Sequence, residues 1–304
     1  MMRLILPKGL LMFSVTAEQR QYLTYVLSDT QAKTTVEVVP ERGGIITSWK
    51  LPQGDRTTEV FYMDEERYTH PELSVRGGNP ILFPICGNLP DNAYTYAGET
   101  YNLKQHGFAR DLPWQVVSQS VETGASLSIS LRSSDLTREG YPFEFEAIFT
   151  YILQGNRLTI QQQFENLSDE PMPFSVGFHP YFAATDKEKL QVEIPSKEYF
   201  DKARTSYAFD GTFDYNQDEI DIAFEQLSAQ VATVSDRDRQ VRLTLEWNQD
   251  FSTLVFWTVK GKDFYCLEPW TAPRNAMNTG KNLLVIPPKQ RLTTSVSTIA
   301  EVLT

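Results

Sequence analysis

Three short stretches of this 304-residue chain set ionisable side chains among aromatic and apolar ones. They are Gln105-His106-Gly107-Phe108-Ala109-Arg110, Val176-Gly177-Phe178-His179-Pro180-Tyr181-Phe182 and Tyr265-Cys266-Leu267-Glu268-Pro269-Trp270. Such neighbours partly desolvate His179 and Glu268. Desolvation raises a carboxyl pKa and lowers that of an imidazole, while bringing the two together favours the charged pair. A carboxyl and an imidazole tuned in this way toward neutral pH suit proton transfer. Each motif alone also has a plain structural reading. A histidine in a strand is often satisfied by a backbone carbonyl, and Glu268 before Pro269 fits the end of an edge strand. His70, in Arg67-Tyr68-Thr69-His70-Pro71-Glu72, reads as a surface residue and receives no role.

The chain has three histidines and two cysteines, Cys86 and Cys266, far apart and outside any Cys-x-x-Cys pair. One disulfide is possible, but a disulfide framework and a cysteine-rich zinc site are excluded. His106 and His179 lie in separate motifs, so no metal ligand set is expected from the spacing. With 28 basic and 39 acidic residues the net charge is −11, which argues against nucleic acid or an anionic membrane held by bulk charge. A small neutral ligand, or one gripped by a local basic cluster, fits instead. Met1–Val15 is apolar but broken by Pro7, Lys8 and Gly9. It reads as a leading strand, or as sequence before a start at Met12, rather than as a signal peptide. No apolar run reaches the roughly 20 residues of a membrane helix, and the expected compartment is the cytoplasm.

The elements that must position these residues follow a period of two. Leu127, Ile129 and Leu131 alternate with serines; Phe143, Phe145, Ala147, Phe149 and Tyr151 repeat the pattern. So do Leu158, Ile160, Gln162 and Phe164, and then Val241, Leu243, Leu245 and Trp247. Alternation of this kind marks strands with one face on a core. Turn signals separate the runs at Gly43-Gly44, Thr123-Gly124, Gly155-Asn156 and Gly261-Lys262. No helical periodicity extends over several turns. The chain is therefore expected to be all-β, a single domain over residues 1–304, with Ala183 to Glu225 as irregular excursions from a sheet. Stacked large sheets leave a broad concave face for a ligand.

Taken together, and in order, the motifs resemble the aldose 1-epimerase (galactose mutarotase-like) family. The resemblance runs from about Val36 to Pro288. It rests on Arg76-Gly77-Gly78-Asn79-Pro80 leading into Leu82-Phe83-Pro84, then His106-Gly107-Phe108-Ala109-Arg110, Gly177-Phe178-His179-Pro180-Tyr181-Phe182 and Leu267-Glu268-Pro269-Trp270. It implies a large β-supersandwich with an open sugar cleft, His179 as general acid and Glu268 as general base. It also implies His106 near the sugar ring oxygen and Asp221, in Ile220-Asp221-Ile222-Ala223-Phe224, bonded to a ring hydroxyl. Asn88 stands where galactose mutarotases carry a sugar-binding arginine. Arg76 and Arg110 look closer to the glucose-6-phosphate 1-epimerase branch, in which arginines hold a phosphate; a structural ion pair is the competing reading for both. Lys104 is expected to be a solvated surface charge, and Trp257, Tyr181 and Trp270 to be core rather than sugar-stacking. The resemblance thus implies a hexose 1-epimerase that uses neither metal nor cofactor, with a small sugar as its partner. The alternatives are a hexose-6-phosphate 1-epimerase or a non-catalytic carbohydrate-binding protein. Ring opening removes a proton from the C1 hydroxyl and delivers one to the ring oxygen. A carboxylate and an imidazolium on opposite sides of the hemiacetal meet that need.

Overall fold

The structure is a computed structural model and describes residues 12–303. The expected leading strand therefore falls mostly outside the described residues, and its end enters the strand Phe13–Gln19. Every pairing between strands is antiparallel. A five-stranded meander, Phe13–Gln19, Leu23–Asp29, Thr34–Val39, Ile45–Gln53 and Arg56–Glu59, keeps its strands in chain order.

Two larger sheets form the body. The back sheet has eight strands in the order Leu190–Glu193, Val231–Asp236, Val241–Trp247, Arg291–Val302, Arg157–Asn166, Phe145–Gln154, Ala125–Arg132 and Gln115–Ser120. The site sheet runs Ser206–Ala208, Glu198–Phe200, Glu219–Phe224, Thr253–Val259, Phe264–Trp270, Gly177–Phe178 and Ile81–Leu82, and Tyr181–Ala183 also pairs with Phe264–Trp270. The irregular stretch from Ala183 to Glu225 thus supplies edge strands to both.

The period-two runs bury the face they predicted. Leu127, Ile129, Ala147, Phe149, Tyr151, Leu245 and Trp247 are all in the core. Gln162 is also fully buried in its strand, and its amide donates to the Ile160 carbonyl. The core fills the space between the sheets. Phe149 of the back sheet meets Phe178 of the site sheet at 6.0 Å between ring centroids, and Phe83 packs on Phe145 and Phe164 at 5.1 and 5.4 Å. Large aromatic rings dominate the area buried in such a core. The helices are single turns or little more: Glu65–Thr69, Asp135–Gly140 and Ala276–Thr279. Among the described residues no helix is long and apolar enough to cross a membrane. Both cysteines are buried free thiols.

Candidate active site

The strand Phe264–Trp270 is buried along its whole length, and the pleat divides it. Tyr265 and Leu267 point into the main core, while Cys266, Glu268 and Trp270 share the opposite face. This corrects the edge-strand reading of Glu268-Pro269. The strand is interior, paired with Thr253–Val259 on one side. On the other side the ladder passes from Tyr181↔Cys266 to Gly177↔Trp270, and Pro269 falls in that interruption. The interruption is where Phe178-His179-Pro180 turns, with the His179 N–H donating to the Pro80 carbonyl at 3.1 Å. Phe178 enters the core and His179 faces the cleft.

His179 and Glu268 meet there. The imidazole Nε2 lies 3.4 Å from Glu268 Oε1, and the Trp270 indole N–H donates to Glu268 Oε2 at 3.2 Å. The two groups touch side by side, instead of standing on opposite sides of a substrate as expected from the sequence. Tyr181 stacks on His179 at 4.8 Å, and Trp257 meets its ring edge-on at 5.4 Å. Burial pushes the Glu268 carboxyl well above its usual range, with nearby Asp221 adding to the rise. Burial also lowers His179 to about 3, assisted by the positive charge of Arg110. Desolvation thus favours a pair that holds one proton in neutral form.

His106 is fixed differently. Its backbone N–H donates to the Gly87 carbonyl at 2.8 Å, and its Nδ1 accepts the Gly87 N–H at 3.1 Å. With Nδ1 accepting, the neutral ring carries its proton on Nε2. Burial, and next the neighbouring His179, hold its pKa well below the usual histidine value. His106 has a left-handed backbone at φ 68°, a strained conformation of the sort found where position matters more than local comfort. Gly107 follows at φ +71°, where a Cβ would sit 2.3 Å from the Phe83 carbonyl oxygen.

Asp221 lies on Glu219–Phe224, where Ile220, Ile222 and Phe224 are buried and Glu219, Asp221 and Ala223 face outward. Arg274 donates to its Oδ1, and the Lys202 ammonium is 3.2 Å from its Oδ2. Lys202 also pairs with Glu219 at 2.6 Å, and Glu219 accepts the Trp257 indole N–H at 2.7 Å.

A cleft of about 580 Å³ brings together Arg76, Asn88, His106, Arg110, His179, Asp221 and Glu268, the seven site residues expected from the sequence. Trp257, Tyr181 and Trp270 line it as well, Tyr181 and Trp270 while buried in core clusters as expected. Arg76 is exposed, and neither it nor Arg110 has a carboxylate partner among the described residues. Arg110 donates through Nη2 to the Gln105 carbonyl at 3.1 Å, and its buried Nε is unpartnered. The competing reading of these arginines as structural ion pairs thus has no partner to support it. Lys104 is exposed on Asp111, and His70 on Glu72, as expected.

Sequence reasoning missed Arg67 and Arg274. Arg67 lines the cleft, with its Nε donating to the Ser74 carbonyl at 3.0 Å. Arg274 reaches the neighbourhood of Asn88 from another loop. Its Cγ occupies the space a Gly87 side chain would need, 2.4 Å from the ideal Cβ position. Arg274 follows Trp270-Thr271-Ala272-Pro273, so its nearness to a recognised motif was the available signal. One grouping of potential ligand atoms was also not legible in the spacing. His179, Cys266 and Glu268 put their ligand atoms within 4.8 Å of one another, because Cys266 and Glu268 are two apart on one strand.

Residues 25–297 match the protein family described as Aldose 1-epimerase. The Slr1438 protein of Synechocystis sp. PCC 6803 is similar in sequence and structure: 44% identity, a TM-score of 0.89, and coverage of 95% of this chain and 98% of that one. The galactose 1-epimerase of Lactobacillus acidophilus NCFM shares the fold, with a TM-score of 0.75 at 18% identity over 97% of this chain and 100% of that one. A Cenchrus ciliaris protein provisionally named glucose-6-phosphate 1-epimerase is 24% identical over 257 residues, 75% of this chain and 72% of its own.

Proposed function

The chain belongs to the aldose 1-epimerase family, and from that premise we propose that it interconverts aldose anomers with His179 and Glu268 as the proton-transfer pair. The observation that carries this reading is their contact at 3.4 Å within a polar cleft large enough for a sugar. Glu268 accepts the C1 hydroxyl proton as His179 donates one to the ring oxygen, and the bond between C1 and the ring oxygen breaks. Rotation about C1–C2 turns the other face of the aldehyde to the ring hydroxyl, and reclosure reverses both transfers. The two reacting oxygens are both bonded to C1, so a side-by-side donor and acceptor can span them. The charged form of the pair lies one proton transfer, across 3.4 Å, from the neutral form that burial favours. His106 offers an Nε2–H toward the sugar, and Asp221, held by Arg274 and Lys202, accepts from a ring hydroxyl. Only protons move and both carriers belong to the chain, so turnover needs no metal or cofactor and survives exhaustive chelation.

A second reading concerns the sugar's substituent. Arg76 and Arg110 face the cleft without carboxylate partners, and forked guanidinium donors suit a phosphate. This favours a phosphorylated aldose, the substrate class in the Cenchrus ciliaris protein's name. Following anomer equilibration of glucose, galactose and glucose 6-phosphate by NMR tests both readings. Acceleration of at least one sugar is expected; acceleration of none leaves the carbohydrate-binding alternative in its place.

A further inference from the structure

We propose that His179, Cys266 and Glu268 form a three-ligand site for a zinc-class divalent cation, which blocks the proton-transfer pair rather than assisting it. The chemistry is that of tetrahedral zinc sites: an imidazole nitrogen, a thiolate sulfur and a carboxylate oxygen. Their ligand atoms lie within 4.8 Å of one another, and all three residues are buried. Cys266 and Glu268 project from the same face of one interior strand, and His179 reaches them from the adjoining turn, so the set rests on sheet backbone.

The surroundings fit a ligand shell. The Trp270 indole N–H holds Glu268 Oε2 and leaves Oε1 directed at His179, the kind of outer support that orients a metal-binding carboxylate. Cys266 is in no disulfide. His179 presents Nε2 to Glu268 Oε1 at 3.4 Å, in a residue only 9% exposed. Charge favours the cation as well. A thiolate and a carboxylate carry two negative charges, which a divalent cation cancels, and neutral sets are the ones a dry site tolerates. On binding, one proton leaves the thiol and one leaves the His179–Glu268 pair, both to solvent. Magnesium and calcium prefer an all-oxygen shell, so the site selects against them. Two of the three ligands, His179 and Glu268, line the cleft, so a cation can reach the set from there.

The site stands on its geometry, whereas its inhibitory effect rests on the function proposed above. Cadmium added to metal-free protein should give a thiolate-to-cadmium charge-transfer band in the ultraviolet that saturates at one equivalent. Cys266→Ala and Cys266→Ser should lose the band, and Cys86→Ala should keep it. Stoichiometric zinc should slow anomer equilibration at least tenfold and a chelator should restore it. Zinc should change the rate of Cys266→Ala far less, each protein being compared with its own metal-free rate, and millimolar magnesium should do nothing. Failure of the native protein to show the band, or its survival in a folded Cys266 variant, overturns the site. Because the band is read without substrate, a chain that accelerates no sugar can still show it. A chain that turns over without the band loses the metal site and keeps its activity.

Discussion

Burial shifts the pKa of Glu268 up and that of His179 down, and under the proposed function the same burial supplies their reactivity. Replacing Glu268 by Gln or His179 by Asn keeps approximate shape but removes the exchangeable proton. Turnover should fall by about 10²–10⁴-fold, with sugar affinity changed little; progress curves and equilibrium binding separate the two. Near-normal turnover in Glu268→Gln would move the base elsewhere. The pH profile should report the pair rather than either residue. Activity persists while the pair holds one proton. It falls in acid, where the pair gains a second proton that burial of His179 resists, and on the alkaline side beyond the raised pKa of Glu268. His106 carries a separate prediction. Its folded pKa lies well below that of the unfolded chain, so as pH falls below about 6.5 the unfolded state takes up a proton that the folded state refuses. Stability from this residue is lost on acidification. His106→Asn should therefore lose less melting temperature than the parent between pH 7 and pH 5. An unchanged slope would mean that His106 is charged in the fold.

Strands place these residues, and their legibility depended on length. The long alternating runs around Leu127, Phe149 and Leu245 were readable because four or five residues repeat one face. Gly177–Phe178, Ile81–Leu82 and Tyr181–Ala183 carry the site yet span only two or three residues, too few for periodicity to register. The motifs marked that region instead, and every site residue they nominated reaches one cleft. Arg67 was not legible because tertiary packing, rather than local pattern, brings it in, whereas Arg274 had only its nearness to the Leu267–Trp270 motif to mark it. The Arg76-Gly77-Gly78 segment shows why a short element demands a particular residue. Gly78 has φ +58°, and a Cβ there would lie 2.1 Å from the Ile46 carbonyl oxygen. The Gly78 carbonyl also accepts the Tyr181 N–H at 2.8 Å, and Asn79 donates its backbone N–H to Ile46 at 2.8 Å. Gly78→Ala must therefore shift the backbone beside His179. A loss of about 2 kcal/mol or more is expected, with kcat falling more than KM rises. Denaturant melts and steady-state kinetics on Gly78→Ala check both, and a neutral effect would mean that the segment relaxes freely.

At the scale of the whole molecule, the net charge of −11 and the charge of the cleft have opposite signs. Arg67, Arg76, Arg110, Lys202 and Arg274 line the cleft against Glu219, Asp221 and Glu268. Lys202 and Arg274 are engaged by Asp221, which leaves the other three arginines without carboxylate partners among the described residues. A distant negative surface repels an anionic sugar, but at physiological salt that field is screened beyond about 8 Å. Close guanidinium contacts are screened far less. Local attraction should therefore dominate for a phosphorylated aldose. A hydrogen bond to a charged group contributes about 1.5–3 kcal/mol, and about 1.4 kcal/mol is tenfold in affinity. Arg76→Ala or Arg110→Ala should thus raise KM for glucose 6-phosphate tenfold or more, while KM for glucose moves about twofold at most. Salt distinguishes this from a structural effect. In the parent, added salt weakens the arginine contacts and raises KM for the phosphorylated sugar. In the Arg76→Ala Arg110→Ala double variant only Arg67 of the three remains in the cleft, so the same salt should raise it much less. KM measured across ionic strength on both sugars reads the difference directly. An equal response of glucose and glucose 6-phosphate would make both arginines structural and the free aldose the substrate.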